Sequence, residues 1–258
     1  MSRELNKWEQ CAAADWEGGV YSIPLKWEQK YPINKGWQNL RLSPDEFPGN
    51  IESPYNRGRL LGIAPPEGIK GGWVVCVDLD SVEARQLAEY FLPPTGEIAG
   101  RPSKQRAHHF YECDPPPRTK RFRDAANNTI LDLLSTGSQV VVEPSIHPSG
   151  ELYQWDARES RESVDAPELT FSSGMLAAVC LLVSASRSVE EFHNYCSLLA
   201  EQVEGGVRQQ LLEKINDPAL VATGVLPLHQ GSREELSQPE SKLVVLRAAG
   251  WIGSPRAQ

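Results

Sequence analysis

At 258 residues, with 40% hydrophobic and 23% charged side chains, the chain is long enough to bury a sizeable core in one large domain, or in one domain with an appendage. Asp and Glu number 34 against 26 Lys and Arg, and the net charge of −8 argues against a non-specific nucleic-acid binder with a basic coat, though not against a local basic groove. The five cysteines (Cys11, Cys76, Cys113, Cys180, Cys196) are widely spaced and contain no Cys-x-x-Cys pair, which argues against a disulfide framework or a zinc knuckle.

The first residues are polar and lack the apolar core of a signal peptide, and the longest apolar run, 175–183, is too short to span a bilayer. The expectation is a soluble cytoplasmic protein with no membrane partner. Residues 18–25 read as a first strand, followed by a loop rich in Lys, Pro and Trp (Lys30, Pro32, Lys35, Gly36, Trp37). The apolar run over 72–79 reads as a buried strand, and Ser81 as the N-cap of a helix with Val82, Leu87, Tyr90 and Phe91 on its stripe, stopped by Pro93 and Pro94. A strand follows over 106–111, then a proline-led polar loop over 115–124. Two more strands, 129–134 and 139–142, flank a Ser-Thr-Gly-Ser turn. After Trp155 the composition shifts, and helices are predicted over 176–186, 189–203, 207–215 and 242–249. The expected organisation is an α+β domain over 1–165 and a helical C-terminal region over 166–258.

Three segments carry candidate chemistry. Asp78 and Asp80 close the 72–79 strand, and alternation would project both the same way; they are either solvated acids ending a strand or oxygen ligands for a divalent metal. In 104–111, period two puts Lys104, Arg106 and His108 on one face and His109 and Tyr111 on the other. That face is either a cradle for a triphosphate or a charged edge strand, and one of the two histidines is expected to serve packing. Asp132 interrupts an apolar strand, where a lone buried carboxylate would cost several kcal/mol. It therefore wants a metal or a salt bridge to Arg106 or Lys104. Downstream, Ser145 and His147 either contact a nucleotide or hold their loop. His193 and Cys196 are packing residues, having metal spacing but no second pair.

The order of these segments resembles the N-terminal domain of bifunctional DNA primase-polymerases, the prim-pol branch of the archaeo-eukaryotic primase superfamily. The resemblance rests on Asp78-Leu-Asp80, the 103–111 strand with His108, Asp132, and flanking text such as Lys30-Tyr-Pro-Ile-Asn-Lys-Gly-Trp37, Gly100-Arg-Pro-Ser-Lys104 and Pro144-Ser-Ile-His-Pro-Ser-Gly150. It implies a prim-pol core with an RNA-recognition-motif-like antiparallel sheet beside a second small α/β unit, followed by the helical region. It further implies a template-dependent nucleotidyltransferase that makes or extends primers on single-stranded DNA for a phage, plasmid or mobile element. Asp78, Asp80 and Asp132 would be catalytic and hold Mg²⁺ or Mn²⁺. Lys104, Arg106 and His108, or His109 if the register slips, would bind the nucleoside triphosphate, with Ser145 and His147 nearby. Many relatives continue into a helicase, so a separate helicase is an expected partner. The competing readings are a non-catalytic nucleotide- or single-strand-binding replication or defence module, and a metal-dependent nuclease.

Overall fold

A computed structural model describes residues 6–48, 54–124, 126–186, 189–201, 206–217 and 220. The chain divides into two compact units, one of Met1–Asp78, Pro94–Lys120 and Asp132–Thr170, the other of Leu79–Pro93, Arg121–Leu131 and Phe171–Gln258. Mixed helices and mainly antiparallel sheets make the fold α+β.

The first unit opens with α1 (Lys7–Glu17), which is absent from the sequence reading. Asn6 caps it: its side chain accepts from the backbone of Trp8 and Glu9, and the Glu9 carboxylate accepts from the Asn6 N–H. A small sheet of order β1-β2-β8 follows, built from β1 (Ser22–Leu25), β2 (Asn56–Leu60) and β8 (Gln139–Val142), all antiparallel. Strand β2, Asn-Arg-Gly-Arg-Leu, is likewise absent from the sequence reading; it is polar, yet all five residues are buried. Its arginines explain why. Arg57 pairs with Asp15 of α1 and donates to Ser22 Oγ at 2.9 Å, and Arg59 reaches Asp15 Oδ1 through Nε at 2.9 Å and Glu97 Oε1 through Nη2 at 3.0 Å. Glu97 also accepts from Arg161 at 2.8 Å, and Arg161 in turn reaches Glu112 at 3.1 Å. Buried charge is tolerated here because nearly every member has a counter-ion.

The larger sheet has the order β6-β7-β3-β5-β4-β9, from β6 (Lys120–Arg123), β7 (Thr129–Leu134), β3 (Trp73–Leu79), β5 (Lys104–Cys113), β4 (Glu97–Arg101) and β9 (Gln154–Arg158). A two-residue strand, β10 (Glu162–Ser163), pairs parallel with β5. The expected polar loop over 115–124 therefore carries an edge strand. Only Phe122 of its four residues is buried, and the exposed Lys120 and Arg121 suit an edge, which hides the strand from pattern reading. Strands β7 and β8 are neighbours in sequence but enter different sheets. The turn between them packs so tightly on Gly62 (φ 59°) that a Cβ there would lie 2.2 Å from the Thr136 nitrogen. One core cluster, including Val74, Cys76, Phe110, Ala99, Leu134 and Val142 with Trp155 against it, fills one side of β3, β5 and β7. Arg59 stacks over two of those rings, 4.8 Å from the Phe110 centroid and 4.5 Å from that of Trp155.

In the second unit, α2 (Val82–Phe91) starts as predicted, with Ser81 Oγ accepting from the Ala84 N–H at 3.0 Å. Its buried stripe is Ala84, Leu87, Ala88 and Phe91, whereas Val82 is exposed. The remaining helices are α3 (Ala166–Ala185), which begins in the first unit, α4 (Val189–Glu201) and α5 (Gly206–Ile215); the helix predicted over 242–249 lies outside the described residues. Because Thr170, Ser172, Ser173 and Gly174 continue the helix ahead of Met175, α3 reaches 20 residues and is long and apolar enough to cross a membrane, correcting the shorter run read from sequence. Of its most apolar window 61% is buried within the fold, as in a core helix. Cys196 is fully buried and His193 half-buried on α4, and among the described residues no group of three or more His, Cys, Asp or Glu could hold a metal.

Candidate nucleotide and metal site

Strands β3 and β5 run antiparallel with Cys76 opposite Phe110 and Asp78 opposite His108. Cys76 and Phe110 both belong to the core cluster, so alternation puts Asp78 and His108 on that same face, one step beyond the core. Leu134 of β7 is in the cluster too, so Asp132, two residues away, takes the same face. Three consecutive strands, β7, β3 and β5, thus bring Asp132, Asp78 and His108 to one side of the sheet. Both acids are half-buried in strands whose neighbouring positions are buried. His108 Nε2 lies 3.6 Å from Asp78 Oδ1, beyond hydrogen-bond length but within range of strong attraction for a protonated ring. The imidazole is held in place by Tyr153, stacked with centroids 6.0 Å apart, and by the edge of Phe110 at 6.4 Å.

Asp80 does not extend the alternation, because β3 ends at Leu79. It lies in the second unit, half-buried, where its own N–H and that of Ser81 both donate to the Ile130 carbonyl, at 3.0 and 2.9 Å.

The uniform face of Lys104, Arg106 and His108 expected from period two is broken by a bulge. Ala99 pairs with His108, but Arg101 pairs with Lys104, so β5 holds two residues more than β4 over this stretch. Arg106 takes a left-handed conformation (φ 54°), and its N–H leaves the ladder to donate to Asp156 Oδ2 at 2.8 Å. Gly100 makes the room, since a Cβ there would meet the Lys104 carbonyl at 2.5 Å. The second histidine, His109, points away from Asp78. It pairs opposite Val77 on the other face, is 4% exposed, and bonds the Arg106 carbonyl through Nε2 at 3.0 Å. Burial, and then the Arg106 charge, push its pKa down to about 4, so it is neutral at pH 7.

The 144–152 block forms the rim. Ser145 is buried and holds its loop, its Oγ accepting from the Arg57 N–H at 2.8 Å. His147 is half-buried; Ser149 N–H donates to its Nδ1 at 3.1 Å, and its ring lies 6.1 Å from Tyr153. Partial burial and the positive charges of Lys30, Arg101 and Lys104 lower its pKa, against the opposing charge of Glu151. Glu151, which sequence reasoning missed, ties the rim together. It accepts from the Ser103 N–H at 2.7 Å, from Ser103 Oγ and Ser149 Oγ at 2.8 Å each, and from Arg101. Tyr153 was missed as well; the only signal was an aromatic three residues beyond the Pro-Ser-Gly turn.

Residues 12–169 match the family described as bifunctional DNA primase/polymerase, N-terminal. The chain belongs to that family. The matched Prim-Pol region contains every strand of both sheets and all the site residues above, and has the fold of a primase/polymerase-family nucleotidyltransferase. No curated protein matches the chain.

The donor chemistry fits the metal that the family implies. Carboxylate oxygens suit Mg²⁺ and Mn²⁺, and Mg²⁺ is commonly held by one or two carboxylates with water and substrate phosphates completing the shell. Asp78 and Asp132, on one face of adjacent strands, are such a pair, although among the described residues no three His, Cys, Asp or Glu side chains are gathered as a ready-made cluster.

Proposed function

We propose that the protein is a template-dependent nucleotidyltransferase that makes or extends primers on single-stranded DNA, using Mg²⁺ or Mn²⁺ held by Asp78, Asp132 and, on its spacing in the sequence, Asp80. The observation that carries this reading is the single sheet face shared by Asp132, Asp78 and His108 on successive strands. In the reaction the primer 3′-hydroxyl gives up its proton to solvent as its oxygen bonds to the α-phosphorus, the bond from that phosphorus to the bridging oxygen of the β-phosphate breaks, and pyrophosphate leaves. A divalent metal held by Asp78 and Asp132 would offset the charge of the reacting phosphates and lower the pKa of the 3′-hydroxyl. His108, locked between Tyr153 and Phe110, offers a ring N–H to a phosphate oxygen. Lys104 and Arg101 give the rim positive charge that favours the triphosphate tail, and His147 beside them offers a ring nitrogen. Arg106, beyond the bulge, acts on the same tail only if the turn rearranges. His109 keeps the strand packed and makes no phosphate contact. The family resemblance also supports a phage, plasmid or mobile-element setting and a separate helicase.

The test is incorporation of labelled nucleotide on primed and unprimed single-stranded templates with each metal. Incorporation that disappears in Asp78→Ala and in Asp132→Ala is the expected result. A wild-type protein that incorporates nothing, or variants that keep full activity, would overturn the proposal. The lack of a ready-made three-ligand cluster among the described residues favours one second reading, a non-catalytic module that binds nucleotide without turnover. Metal-dependent nucleotide binding with no incorporation on any template would select it.

A further inference from the structure

Apart from the charge of Lys30, which is felt at His147, the Lys30–Trp37 motif takes no part in the site described above, yet the fold sets it beside that site. Its backbone is pinned. The Lys26 N–H donates to the Tyr31 carbonyl at 3.0 Å and the Ile33 N–H to the Pro24 carbonyl at 3.3 Å, while Pro32 bridges to Leu25. The fully buried Asn56 acts as the hub. Its Nδ2 donates to the Gln29 carbonyl at 2.8 Å and to the Ile146 carbonyl at 2.7 Å, joining this loop to the one that carries His147. Gln139 adds a bond to the Lys30 carbonyl at 2.7 Å.

While the main chain is held, the side chains face outward. Tyr31 is 58% exposed and Ile33 44%, and Leu152, on the neighbouring loop, is 53% exposed. Lys26, Lys30 and Lys35 are exposed around them, with Glu28 the only acid across residues 26–36, on a chain whose net charge is −8. A large aromatic ring offered to solvent by a fixed loop, among lysines and against the sign of the whole protein, matches what single strands recognise: a π-face for a base and cations for the phosphates on either side. An acidic protein surface would use the lysines but would leave Tyr31 and Ile33 without a role.

We propose that residues 26–36 form a docking surface for single-stranded nucleic acid, with Tyr31 as the stacking platform and Lys26, Lys30 and Lys35 as phosphate contacts. Only the identification of that strand as the template rests on the polymerase reading; the binding itself does not. Preorganisation of the loop keeps the ordering cost of binding low.

The experiment measures fluorescence anisotropy of labelled oligo-dT, oligo-rU and a duplex over a range of salt with the 258-residue chain, alongside metal-dependent binding of a fluorescent nucleoside triphosphate. Tyr31→Ala is expected to weaken single-strand binding about ten-fold and leave nucleotide binding within two-fold, while Tyr31→Phe keeps near wild-type affinity. Changing Lys26, Lys30 and Lys35 together to Gln is expected to reduce the slope of log affinity against log salt by about 2. The duplex, whose bases are already stacked, should respond little to Tyr31→Ala. Preference between the DNA and RNA oligomers identifies which strand the surface takes. The proposal is overturned if the wild type binds neither oligomer, if Tyr31→Ala binds like the wild type, or if Tyr31→Phe loses as much as Tyr31→Ala. Loss of nucleotide incorporation in the wild type with the Tyr31 effect intact would instead remove the polymerase reading and leave this surface standing.

Discussion

Two charge clusters lie in the same unit and differ in almost every physical respect. Around Asp15, the side chains of Arg57, Arg59 and Glu97 are sealed from water and paired with one another, and the partly buried Arg161 pairs with Glu97. On the Asp78 face, by contrast, the acids are half-buried, His108 stands just beyond hydrogen-bond reach of Asp78, and cations gather at the rim. The first cluster pairs its charges internally and holds α1, β2 and β4 together. The second stands partly exposed on one sheet face, where a ligand can reach it. Burial with full pairing marks structure; partial burial with converging charges marks a site.

That contrast breaks first, and most severely, at Asp15. Asp15→Ala leaves two buried guanidiniums without their main counter-ion, and stability should fall by about 3–5 kcal/mol, read by denaturant unfolding. Asp78→Ala should do the reverse: unfolding within about 1 kcal/mol of wild type, with nucleotide incorporation down on the order of 10³-fold, roughly 4 kcal/mol of barrier. If Asp78→Ala destabilises the protein as much as Asp15→Ala does, the distinction between the two clusters is wrong.

Acid sharpens the comparison. Burial alone would raise the Glu97 pKa, but Arg59 and Arg161 outweigh it and hold the group at about 2, against 4.5 for a free side chain. His109 sits at about 4 against an ordinary 6.5. In both cases the unfolded chain takes up the proton first as pH drops. The His109 contribution is therefore complete above pH 6.5 and is lost as pH falls towards 4, and the Glu97 contribution is complete above 4.5 and is lost towards 2, each up to about 3 kcal/mol. Stability measured against pH should show both windows, and His109→Gln should flatten only the upper one. The smallest effect is expected at Glu151. Glu151→Gln weakens the hold on Ser103, Ser149 and Arg101, and should raise KM for nucleotide a few-fold while kcat changes little.

The difference between the clusters also explains what was legible in the sequence. Apolar strands that end or break at an acid stand out, so β3, β7, Asp78 and Asp132 could be read, and with them the helix after Ser81. The buried arginines could not. Asn-Arg-Gly-Arg-Leu resembles a loop until Asp15 and Glu97, 42 and 38 residues away along the chain, are known to neutralise it. The bulge at Arg106 was hidden for a similar reason: strict alternation predicts a face, and only the pairing with β4 and the space at Gly100 reveal that two residues are looped out. Local pattern carries strand identity, whereas long-range pairing decides which charges are sealed and which face a ligand.

The most direct test of the central claim is anomalous diffraction from crystals of the protein grown with Mn²⁺ and a non-hydrolysable nucleoside triphosphate. The account predicts a manganese peak within coordination distance of carboxylate oxygens of both Asp78 and Asp132, with the triphosphate reaching His108. A peak bound elsewhere, or a triphosphate seated away from the Asp78 face, would contradict it.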